Sequence, residues 1–68
     1  MKLSARNQIP GKVVSVVKGQ TTAHVGIDIG HGVTVTASVT NEAIEDLGLK
    51  VGDAAFAVIK ASDVLVGK

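Results

Sequence analysis

Two short segments of this chain carry side chains and amides suited to holding a small anion. Ser4-Ala5-Arg6-Asn7 contains the chain's only arginine. In an extended backbone residues 4 and 6 point the same way, so Ser4 offers a hydroxyl and Arg6 a planar fork of N–H donors into one space. The backbone amides of Ala5 and Asn7 lie alongside. The second segment is Lys60-Ala61-Ser62, where a long apolar run ends in a lysine followed by small residues whose amides and hydroxyl are free to donate. A tetrahedral oxyanion wants several donors at once. If the N-terminal arm of one subunit lies against this strand end of another, Arg6 and Lys60 together neutralise a dianion. Hydrogen bonds to charged groups contribute roughly 1.5–3 kcal/mol each, and micromolar affinity needs only about 8 kcal/mol, so four or five such donors suffice. Taken singly, each segment also reads as a solvated edge.

Other chemistries are less well supplied. His24, Asp28 and His31 are metal-ligand types, but 24 and 28 are not neighbours on a strand and His31 sits between glycines; no bare-cation site is expected. Ser15 and Ser38 lack a nucleophile elbow and a glycine-rich oxyanion loop, so no catalytic residues and no catalytic cofactor are expected. Gly30-His31-Gly32 lacks the third glycine and following helix of a dinucleotide fingerprint, and there is no P-loop. Single-stranded nucleic acid binding relies on stacked aromatic rings and a basic groove; the chain has one aromatic, Phe56, read as core, and a net charge of +1. Nucleic-acid binding, or a purely structural role, is the alternative function.

The elements that must position these groups follow from patterning. Gly11–Lys18 is valine-rich and flanked by Pro10 and Gly19, which reads as a strand. Residues 22–29 alternate Ala23, Val25, Ile27 and Ile29 against His24, Gly26 and Asp28, a second strand; after the glycine turn, residues 33–39 alternate Val33, Val35, Ala37 and Val39 against Thr34, Thr36 and Ser38, a third. Thr40 as N-cap and Gly48 as C-cap bound a helix of about two turns with Ala43, Ile44 and Leu47 on its apolar face. Residues 54–60 read as a fourth strand and 64–66 as a short fifth. Three strands, a helix and two strands is the order of the small five-stranded Greek-key barrel, the OB-fold. Residues 2–9 remain as an extended arm, with Leu3, Ala5 and Ile9 on one side and Ser4, Arg6 and Gln8 on the other, and Pro10-Gly11 as its hinge.

Residues 1–68 form one domain on this reading. A chain this short buries only about 60% of its unfolded surface, and with no cysteine it has no disulfide to help. Self-association is the expected remedy, and the apolar arm face the expected means. No apolar run approaches the roughly 18 residues of a membrane span, and no apolar stretch follows Lys2 to make a signal peptide, so no membrane partner and a cytoplasmic location are expected. Lys2, Arg6, Lys12 and Lys18 all precede the first acid, Asp28, while Glu42, Glu45, Asp46 and Asp53 cluster later; an anion held near the start suits that asymmetry.

SARNQ followed by GKV, the KGQTTAHV stretch, Asp46-Leu47-Gly48 and the closing VIKASDV resemble the molbindins, small Mop-type molybdate-binding proteins, over essentially the whole chain. SARN and the lysine-containing segment before the last strand are the most specific parts. The resemblance implies an OB-like barrel whose N-terminal strand is swapped into a partner. It further implies a hexamer built as a trimer of dimers and molybdate or tungstate held between subunits for storage and homeostasis. By position, Ser4 and Arg6 donate through side chains, Ala5 and Asn7 through the backbone, and Lys60, Ala61 and Ser62 come from another subunit. Ala61 stands where relatives often carry serine and offers only its amide. The family has further oxyanion sites near a three-fold axis, for which the Lys18-Gly19-Gln20-Thr21-Thr22 hairpin is the candidate here. The family's older name also connects it with a pterin.

Overall fold

The computed structural model describes residues 1–68. Its strands are β1 (Asn7–Lys18), β2 (Thr22–Gly30), β3 (Val33–Thr40) and β4 (Ala54–Ile59); helix α1 (Asn41–Leu47) lies between β3 and β4, and a single 3₁₀ turn, Ala61–Asp63, follows β4. All pairings are antiparallel, in the order β3-β2-β1-β4.

β1 begins four residues earlier than the valine pattern suggests, so Pro10 and Gly11 lie inside a strand in the single chain. The reason is a change of partner. From Asn7 to Lys12, β1 pairs with β4 of the same chain, and from Lys12 to Lys18 with β2. Before Lys12 only one edge of β1 is occupied, and an edge is where a strand tolerates a proline without an N–H. Gly11 marks the crossing: a Cβ there would stand 2.6 Å from the Asp28 carbonyl oxygen and 2.7 Å from Ile27 Cγ2. A register shift between Val13 and Ser15 then changes the phase of β1. The extra residue lets Val13 and Val16, three apart, both turn towards the core while Val14 and Val17 face out.

The core consists of Val13, Ala23, Val25, Ile27, Ile44 and Ala57. Phe56, expected inside, is 52% exposed. Alternation along β4 turns Ala55, Ala57 and Ile59 inward and Ala54, Phe56 and Val58 outward, so strand phase overrides side-chain size. Helix α1 has the predicted caps: Thr40 Oγ1 accepts from the Ala43 N–H at 3.0 Å, and Gly48 takes the left-handed conformation at φ 62°. Ile44 anchors it, whereas Leu47 lies at the rim of the sheet and is largely exposed. Thr40→Ala is expected to cost about 1 kcal/mol, a fall of about 4–8 °C in melting midpoint for a domain of this size. Circular dichroism would show it, and Thr40→Ser should restore most of the loss.

The expected fifth strand does not form. Leu65 and Val66 are 91% and 95% exposed and have no strand beside them; the 3₁₀ turn intervenes after β4, and alternation alone does not place a partner edge within reach. The result is a four-stranded curled sheet, a half-barrel with free edges at β3 and β4. A trough of about 710 Å³ runs along its concave side and takes in residues from both faces of β4, including Phe56 and Val58; of its sixteen lining residues only Thr36 is polar. No helix is long and apolar enough to cross a membrane.

Candidate oxyanion-binding site

The β1–β4 ladder brings the two candidate segments, Ser4–Asn7 and Lys60–Ser62, together. Its last pair is Asn7↔Ile59, so Arg6 and Lys60 are the residues that immediately flank the end of the ladder, one on each strand. Asn7 Nδ2 fastens that end by donating to the Ile59 carbonyl at 3.1 Å. The arm then bends at Ser4 and Arg6, and Gln8 Nε2 reaches back to the Ala5 carbonyl at 3.1 Å. Across from the arm, Lys60 is extended (φ −61°, ψ 138°) and caps the 3₁₀ turn of Ala61, Ser62 and Asp63. The first amides of such a turn, those of Ala61 and Ser62, have no acceptor within it.

Ser4, Arg6, Lys60, Ala61 and Ser62 are exposed, and Ala5 and Asn7 are half-buried. The one ion pair in the chain is Lys18 Nζ–Glu45 Oε1 at 3.6 Å, so neither Arg6 nor Lys60 is matched by an acid. Two uncompensated cations, two hydroxyls and several amides at one strand end make a corner that attracts an anion. Both segments belong here to one chain. On sequence alone Lys60 is expected from another subunit; in the single chain the register of β1 with β4 sets Arg6 and Lys60 at the ends of neighbouring strands.

The second candidate is less open than expected. A shallow notch of about 210 Å³ is lined by Val17, Lys18, Gly19, Thr22 and His24; Gln20 and Thr21 are not part of it. The Gly19 N–H is committed to the Thr22 carbonyl at 2.7 Å, Asn41 binds the Gly19 and Thr21 carbonyls, both at 2.9 Å, and Lys18 is shared with Glu45. His24 is the residue that sequence reasoning missed for this notch. The signal was in the register, since Val17 pairs with His24 and both point outward. His24, Asp28 and His31 do not gather: no group of three His, Asp or Glu residues is placed to hold a metal ion.

The chain is 51% identical over 67 residues to a probable molybdenum-pterin-binding protein of Haemophilus influenzae, covering 98% of this chain and 97% of that one. Among solved structures, a molybdate-binding protein from Sporomusa ovata superposes with a TM-score of 0.92 at 35% identity over the full length of both chains. The cytoplasmic molybdate-binding protein ModG, with molybdate bound, gives 0.90 at 45% identity, covering 96% of this chain and 46% of ModG. The TOBE domain model matches residues 3–66, and the chain belongs to the TOBE domain family.

Proposed function

We propose that this chain binds molybdate or tungstate for storage and homeostasis in the cytoplasm and performs no catalysis. The observation that carries the reading is the meeting of Arg6 and Lys60, both free of acidic partners, at the end of the β1–β4 ladder. Two cations balance a dianion, Ser4 and Ser62 add hydroxyls, and the backbone amides of Ala5, Asn7 and Ala61 complete a set of donors. Sulfate has the same charge and shape, so discrimination rests on the size of the space between the arm and the turn. The names of the relatives in Haemophilus influenzae and Sporomusa ovata and of ModG support the ligand, and ModG's description supports the location.

The ion is held where subunits meet, in a homo-oligomer that is a hexamer, a trimer of dimers that exchange their N-terminal strands, so that the β1–β4 ladder of the single chain forms between partners in the same register. Only seven of 68 residues are buried in the single chain, and the apolar trough and the exposed Val64-Leu65-Val66 tail need cover that an isolated protomer does not supply. The hairpin notch at Lys18 to Thr22 is the second, weaker oxyanion site. Native mass spectrometry of the full chain with and without molybdate tests the reading: a hexamer gaining molybdate but not equimolar sulfate is expected. A protein that gains no molybdate at any oligomeric state would overturn it.

A further inference from the structure

The arm carries two side-chain amides that the anion-binding reading leaves unused. Asn7 Nδ2 donates to the Ile59 carbonyl and Gln8 Nε2 to the Ala5 carbonyl, each at 3.1 Å and partly buried. Both bonds are made within the protein, and both act on the backbone that carries the charged donors. The Asn7 bond joins the arm to β4 one residue short of Lys60, which sets the separation of the two strands where the ion is to sit. The Gln8 bond closes a small ring from Ala5 to Gln8, and the chain bends on either side of Ala5, at Ser4 and Arg6. A strand leaving a ladder has no neighbour to hold its direction. Here side-chain amides take over where backbone pairing stops.

We propose that Asn7 and Gln8 form a clasp that fixes the width of the oxyanion site and so determines its selectivity, as positioning residues that do not themselves touch the ion through their side chains. This rests on the site reading given above. Two tetrahedral dianions that differ mainly in size can be told apart only by donors held at a set distance. Donors on a loose arm adjust to either ion; donors on a clamped arm favour the one they fit. Loss of the clasp therefore affects the larger, fitted ion more than the smaller one.

The test uses the full-length protein and titration calorimetry with sodium molybdate and sodium sulfate. Gln8→Met keeps the length of the side chain and removes its donors; Gln8→Asn keeps the amide one methylene short of Ala5. Either change is expected to weaken molybdate binding about tenfold, equivalent to 1.4 kcal/mol, while sulfate binding stays within about twofold, so the selectivity ratio falls nearly tenfold. Asn7→Leu, which keeps the backbone amide, should act in the same direction. A merely structural role would weaken both ions together. The clasp is refuted if the selectivity ratio of a folded Gln8→Asn protein equals that of the parent, or if both affinities fall in proportion. Arg6→Ala in the same series separates the two claims: unchanged molybdate binding there removes the site itself, whereas loss there with parental selectivity in the Gln8 variants removes only the clasp.

Discussion

Gly11→Ala is expected to lower the melting midpoint by about 4–24 °C, although it adds one methyl group at a half-buried position. The new Cβ would lie 2.6 Å from the Asp28 carbonyl oxygen, and a backbone atom in a paired strand cannot rotate away as a side chain can. Either β1 or β2 must shift, at the residue where β1 passes from β4 to β2. Overpacking of this kind costs about 1–3 kcal/mol, and in a domain of this size each kcal/mol is worth about 4–8 °C. Gly26→Ala supplies the comparison. Its Cβ would meet the Ser15 hydroxyl at 2.5 Å, but that Oγ sits on a rotatable exposed side chain, so a smaller loss is expected. Thermal melts of the two variants side by side decide the matter. Equal shifts would mean that the crossing at Gly11 is no tighter than the rest of the sheet.

The same crossing separates what the sequence discloses from what it withholds. β2 and β3 are legible because each keeps one phase of alternation from end to end, and α1 because Thr40 and Gly48 carry their capping chemistry locally. β1 is harder, since its first half answers to β4 and its second half to β2, and the shift at Val13–Ser15 changes its phase midway. Pro10-Gly11 therefore looks like punctuation when it is an edge proline followed by a close approach. Phe56 misleads for a related reason: volume suggests burial, but its place in AAFAVI sets it on the outer face. Val64-Leu65-Val66 has the composition of a strand and no partner in its own chain, and the presence of a partner is not a local property. As for the candidate site, residue types select Arg6 and Lys60 and suggest that they meet if the arm docks on the strand end; the register that sets this links positions 52 residues apart and is not a local property of either segment.

That meeting makes Arg6→Ala the variant with the largest expected effect on binding. The guanidinium can give two charge-assisted bonds to one oxyanion, each contributing roughly 1.5–3 kcal/mol. Their loss should weaken molybdate binding at least about 100-fold by titration calorimetry. Arg6→Lys keeps the charge and loses the fork, so an intermediate loss of about tenfold is expected. Lys60→Met should also weaken binding, and on the proposed reading, in which both cations face the same ion, the double variant should lose less than the sum of the two single losses. Removing either cation leaves the other to hold a dianion alone; once the first is gone, the second has less affinity left to destroy. Simple additivity would mean that Arg6 and Lys60 act on separate ions. Parental affinity in Arg6→Ala would move the site away from the ladder end, to the notch lined by Lys18 and His24.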